Sequence, residues 1–176
     1  IADHTVVDKY NDIPQYYIDE VKKMWLTVPG ESHSYAYGYG LTALESSYPS
    51  YSVSVIESGT PQAYTTLNLR ASRATWGDLN NSSGWIYSYG EEDWFTSLTA
   101  KSRTKAGITY CNINNLVIGA MGFGWCWDPA IIDMTDYLNA TQEYIDYCTS
   151  NGYSTIVFFT TGPVDGENAT GETGYN

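Results

Sequence analysis

Leu26-Thr27-Val28-Pro29-Gly30-Glu31-Ser32-His33-Ser34 is the stretch from which the fold of this chain is read. A short apolar strand, Leu26 to Val28, stops at Pro29-Gly30. Tyr37, Leu41 and Leu44 then recur at i, i+4 and i+7, so residues 33–47 read as a helix. The unit is strand, tight turn, helix, with a serine in the turn. Upstream, Asp12-Ile13-Pro14 reads as a helix start with Asp12 as cap, and Ile18, Val21 and Trp25 place a helix over 14–24. Downstream, Tyr48-Pro49-Ser50 breaks the second helix, and Tyr51 to Ile56 alternates as a strand.

From Glu57 to about Gly90 the chain reads as one long irregular stretch, with Gly59, Pro61, Gly77, Asn80, Asn81 and Gly84. Glu91 to Ala106 reads as a helix whose basic residues, Lys101, Arg103 and Lys105, sit at its end as the helix dipole favours. Leu116 to Met121 is a buried strand. Asp133 to Ser150 is the clearest helix, with Met134, Tyr137, Leu138, Thr141, Ile145 and Cys148 on one face and Asn151-Gly152 as its stop. Ser154 to Phe159 is a further buried strand, and Asp165 to Asn176 an exposed loop. Helices alternating with strands imply a largely parallel sheet covered on both faces, a three-layer α/β/α sandwich. The 176 residues fit one domain, 1–176, with an N-terminal arm over about 1–12 and a C-terminal loop over about 165–176.

Composition excludes several functions. The net charge is −12 and the eight Lys plus Arg are scattered, so the surface repels nucleic acid and anionic lipid. No apolar run is long enough for a membrane span. Three cysteines, Cys111, Cys126 and Cys148, lack zinc-ligand spacing and read as buried free thiols, with one disulfide among them as the alternative. Two histidines and no HExxH pattern point away from a metal, and no phosphate-loop or dinucleotide motif implies a cofactor. Aromatic residues make up 15% of the chain, 17 of them Tyr. They read either as a Tyr-rich core and surface or as a carbohydrate-facing surface, since aromatic faces cover the C–H patches of sugars and Tyr keeps a polar tip.

Ligands of parallel sheets bind beyond the carboxyl ends of the strands. Three such ends carry unusual chemistry: Gly30-Glu31-Ser32, Gly122 to Asp128, and Thr160 to Asp165. Ser32 reads as a nucleophile or as a plain N-cap. His33 is adjacent to it and reads as a rim residue rather than its base. His4 lies in the N-terminal arm. Arg73, with Arg70, would hold an anionic or hydroxyl-rich ligand or pair with nearby acids. Trp76, Trp85, Trp125 and Trp127 read as sugar-stacking faces or as core. Asp128 and Asp165 would orient a base or bind substrate, or serve as ordinary turn residues.

The Gly30-Glu31-Ser32 turn after the first strand resembles the SGNH, or GDSL-type, hydrolase family, whose serine sits in a Gly-Asp-Ser turn; Glu31 stands here for the Asp. The likeness extends by architecture over roughly residues 14–165 and includes secreted Bacteroidota-like members. It implies a flavodoxin-like fold with Ser32 as nucleophile. It implies an oxyanion-holding glycine at Gly77, in Ser72-Arg73-Ala74-Thr75-Trp76-Gly77-Asp78, with Gly59 as competitor. A group near Gly124 would complete the hole. The family's Gly-x-Asn-Asp block is replaced by Gly124-Trp125-Cys126-Trp127-Asp128, which has no Asn. Its Asp-x-x-His block is expected beyond Asn176, so the domain reads as C-terminally truncated. Glu31, His33, Arg73, Trp76, Trp125, Asp128 and Asp165 would line the substrate site. The resemblance implies a secreted, cell-surface or periplasmic bacterial serine esterase that removes acyl groups, acetyl among them, from a carbohydrate. The other reading is a non-catalytic glycan-binding or cell-surface structural protein with the same fold.

Overall fold

The computed structural model describes residues 4–30, 34–56, 63–73, 75–76, 85–86, 93–116, 118–124 and 134–158. A 3-10 segment, His4–Asp12, leads into α1 (Gln15–Lys22) and β1 (Trp25–Thr27). Then come α2 (Ser34–Ser47), a 3-10 turn at Pro49–Tyr51, β2 (Val53–Val55) and β3 (Leu69–Ser72). A small antiparallel pair, β4 (Thr75–Trp76) and β5 (Trp85–Ile86), precedes α3 (Asp93–Thr96) and α4 (Leu98–Ile113). β6 (Ala120–Met121), α5 (Met134–Asn151) and β7 (Ile156–Val157) follow.

Five strands form one all-parallel sheet in the order β2-β3-β1-β6-β7, with helices against both faces. This α/β architecture is consistent with a flavodoxin-like fold. Strand periodicity assigns the two layers. Trp25 and Arg70, paired across β1 and β3, face α4 and α5; Leu26 and Ala71, paired one residue on, face α2. On the α4/α5 side Trp25, Ile108, Cys111, Met121, Tyr137, Tyr144 and Cys148 bury almost completely. Trp94 and Phe95 of α3 wedge into the same layer. The Trp94 ring lies 4.6 Å from Tyr144 and 5.3 Å from Phe123, centroid to centroid, within the range where aromatic pairs attract. The Tyr144 hydroxyl donates to the Trp94 carbonyl at 2.8 Å, so the buried phenol is satisfied. Burial pushes the Cys111 thiol up to about 12 and raises that of Cys148. Both are free and inert as nucleophiles; Cys126 lies outside the described residues.

Four expectations change. The stretch from Glu57 to Gly90 contains β3, an interior strand of the sheet, and the β4–β5 pair. Its alternation is hidden in the sequence because the face turned to α4 and α5 is polar: Arg70 is 1% exposed and Ser72 5%. Second, the helix expected over 91–106 is two: Ser97 breaks it, its Oγ accepting from the Ala100 N–H at 3.3 Å, and α4 runs on to Ile113. Ala100, Thr104, Gly107, Ile108 and Cys111 form its buried stripe, and that packing outweighs the helix cost of Gly107, about 1 kcal/mol. Lys101, Arg103 and Lys105 therefore lie within the helix, not at its end. Third, on α5 Leu138 is exposed, and Tyr144 joins Tyr137, Thr141 and Cys148 inside. Fourth, α1 is preceded by Pro14 as N-cap with no side-chain cap, while Asp12 ends the 3-10 segment.

Lys101 and Lys105, one turn apart on α4, both donate to Glu143 of α5, Lys101 at 2.9 Å. Hydrogen bonds from Lys105 and then Lys101 hold the Glu143 carboxyl below its ordinary value. A depressed folded-state value adds stability above the unfolded carboxylate pKa, about 4.3, and that stability is lost as pH falls through the folded value. Glu143 is 40% exposed, so solvent screens the pair and the effect is small. Urea unfolding should show Glu143→Gln less stable than the parent by about 0.5 kcal/mol at neutral pH. The gap should close on acidification below the carboxylate range. A gap that persists in acid would mean that packing, not charge, is what Glu143 contributes.

Candidate functional site

The carboxyl ends of β1 and β6 meet at a corner built from two glycines. Gly30 and Gly124 form a parallel bridge three residues beyond the ends of β1 and β6, and the Gly124 N–H donates to the Pro29 carbonyl at 2.7 Å. Neither position has room for a side chain. A Cβ on Gly30 would lie 2.2 Å from the Gly124 carbonyl oxygen, and its φ of +140° is one that L-residues rarely adopt. A Cβ on Gly124 would lie 2.1 Å from Ser34 Oγ. Ser34 opens α2, is 2% exposed, and donates to the Gly124 carbonyl at 3.4 Å. The corner thus ties the ends of β1 and β6 to the start of α2.

This corner is also the topological switch point. From β1 the chain runs by way of α2 to β2 and β3 on one side, and β6 and β7 extend the sheet on the other. Crevices at such points are where open α/β sheets bind ligands. The Gly30 end of β1 leads directly into Glu31-Ser32-His33, and the Gly124 end of β6 into Trp125 to Asp128.

Arg73 follows β3 at the same edge. Its Nη1 donates to the Gly30 carbonyl at 3.4 Å, and its guanidinium carbon sits 3.5 Å from the centroid of the Tyr35 ring. Tyr35 stacks in turn on Tyr39, one helical turn along α2, with centroids 6.0 Å apart and planes at 21°. Tyr35 is 42% exposed and Tyr39 72%. A cation held against one aromatic ring and a second, open ring beside it can bind a hydroxyl-rich ligand by hydrogen bonds and C–H/π contact.

Of the residues singled out in the sequence, Gly124 and Arg73 are brought together at this corner. The Gly124 N–H is engaged with the Pro29 carbonyl. Trp76 lies in the short β4–β5 pair. Glu31, Ser32, His33, Gly77, Trp125, Asp128 and Asp165 lie outside the described residues, as do Gly59, Trp127 and the loop 165–176. The sequence reading assigns no role to Tyr35 or Tyr39. The i, i+4 tyrosines of Tyr35-Ala36-Tyr37-Gly38-Tyr39 were the available signal, since such a pair shares one helix face. Among the described residues no group of three or more His, Cys, Asp or Glu could hold a metal ion, and no helix is long and apolar enough to cross a membrane. Compared with protein-family models, curated proteins and solved structures, the chain matches none.

The two glycines set a stability test. Gly30→Ala combines a clash with backbone strain and should cost about 3 kcal/mol or more in urea unfolding. Gly124→Ala should cost a similar amount, and Ser34→Gly should recover part of it by removing the atoms the new methyl meets. Unchanged stability in either alanine variant would contradict the close approach.

Proposed function

We propose that this chain is an SGNH-like serine esterase that removes acyl groups, acetyl in the leading case, from a carbohydrate outside the cell or at its surface. The observation that carries the reading is the Gly30–Gly124 bridge at the switch point, with Gly30-Glu31-Ser32 leaving one strand end just before α2. In this reading Ser32 attacks the ester carbonyl, and the acyl-enzyme is then hydrolysed. Amide N–H groups at the start of α2 and near Gly77 and Gly124 would stabilise the oxyanion. Arg73, Tyr35 and Tyr39 would hold the sugar, with Glu31, His33, Trp76, Trp125, Asp128 and Asp165 as further contacts. His33 is the immediate neighbour of Ser32 in the sequence, and adjacent side chains rarely aim at each other, so His33 is assigned to the rim rather than to the base.

Two observations favour a second reading. The exposed Tyr35–Tyr39 pair suits glycan binding without chemistry, and no Asn stands in Gly124-Trp125-Cys126-Trp127-Asp128. Turnover of a chromogenic acetyl ester separates the two. Ser32→Ala should lower kcat/KM by about three orders of magnitude or more with the thermal midpoint unchanged. Undiminished hydrolysis in Ser32→Ala would sink the esterase reading. Glycan binding with no hydrolysis by the parent protein would establish the second.

A further inference from the structure

At the opposite, amino-terminal edge of the sheet lies an open cavity of about 380 Å³ lined by Lys23, Tyr64, Arg70 and Asn115. Lys23 directly precedes β1, Tyr64 lies ahead of β3 and Asn115 ahead of β6. These are the three adjacent central strands of the sheet. Among the described residues every side chain of the lining offers a hydrogen-bond donor, two of them cationic, with the Glu20 carboxylate beside Lys23 at the rim. That is unusual in a chain of net charge −12 with only eight Lys and Arg.

The donors are also held in place. Arg70 is 1% exposed and forms the floor. Its guanidinium carbon lies 5.0 Å from the Trp25 ring centroid and 5.8 Å from that of Tyr64, and Nη2 donates to the Lys23 carbonyl at 3.3 Å. Lys23 reaches the rim from the end of α1, with Glu20 accepting from its ammonium at 2.5 Å and orienting it. Two of its N–H donors are left over. Asn115 follows α4 with φ +57°, a left-handed position that turns the chain at the rim.

We propose that this cavity is a binding site, separate from the switch-point corner, for a tetrahedral oxyanion: a phosphate or sulfate ester group carried by a small molecule. Donor-bearing residues line the cavity from β3, from the end of α1, from the segment before β3 and from the end of α4. That is more directions than the two oxygens of a carboxylate use, and it suits a group with three or four acceptor oxygens. The volume exceeds that of the bare ion and falls in the range of small-ligand sites, so it leaves space for the organic part.

Titration of the full-length protein with inorganic phosphate, inorganic sulfate and acetate, each against sodium chloride of equal ionic strength, tests the site. The readouts are the fluorescence of Trp25, which lies against Arg70, and the thermal midpoint. Saturable binding of phosphate or sulfate, absent with acetate and chloride, is expected, with a midpoint that rises with ligand concentration. The phosphate and sulfate arms tell which ester the site takes. Lys23→Gln should weaken binding about tenfold, the value of one charge-assisted hydrogen bond. Asn115→Gly keeps the backbone conformation and should weaken it less. Neither surface change threatens the fold, and Ser32→Ala should leave the affinity unchanged. No saturable response beyond the chloride control, or equal affinity in the Lys23→Gln, Asn115→Gly double variant, would overturn the proposal.

Discussion

The contact on which the rest of this structure depends is the approach of two backbones at Gly30 and Gly124. Parallel strands exchange slanted hydrogen bonds and are normally held in register along their length. Here β1 and β6 are only three and two residues long, so the bridge and the Gly124–Pro29 hydrogen bond extend a very short ladder. Removing both Cβ atoms lets the ends of the strands close on each other. It also admits Ser34, whose hydroxyl fills the space that a methyl on either glycine would take. The start of α2, and with it the direction of the Tyr35–Tyr39 face, is fixed by that fit.

The strand-turn-helix unit around Gly30 was legible because it combines three local signals: an apolar run, Pro-Gly, and then helical spacing. α5 was legible for the same reason, and its stop at Gly152, φ +67°, is a left-handed residue that only local chemistry needs to specify. What stayed hidden depended on tertiary contact. β3 carries a buried arginine and a buried serine on one face, so a pattern reader sees a polar segment, although both neighbours in the sheet are parallel strands. Gly107 looks like a helix stop in isolation, yet it lies in the buried stripe of α4. The close pairing of Gly30 with Gly124 joins residues far apart in sequence, and neither glycine alone signals it. Of the candidate site, the position at the strand end was readable; the placement of Arg73 on Tyr35 was not, since it requires β3 to lie beside β1.

Charge follows a comparable division of labour. In an acidic chain most described lysines are matched to nearby carboxylates: Lys22 to Asp19, Lys23 to Glu20, and Lys101 and Lys105 to Glu143. These exposed pairs steady helices by little. The two arginines of β3 and its exit are handled differently. Each lies over aromatic rings, Arg70 over Trp25 and Tyr64, Arg73 over Tyr35, and each donates to a backbone carbonyl of the β1 segment.

That shared arrangement follows from the register of the sheet. β3 runs parallel to β1 with Arg70 opposite Trp25, so an arginine at this position must cross the indole that fills the middle of the α4/α5 layer. A guanidinium tolerates such a path better than an ammonium, being flat, weakly hydrated and able to stack. Its polar end emerges among residues that precede the strands. Three residues later the chain has left the sheet, and Arg73 meets the first turn of α2 at the other end. A single strand thereby carries a stacked cation to each edge of the sheet. The two edges differ in what accompanies it: glycines and an open tyrosine face beside Arg73, and further donors around a cavity beside Arg70.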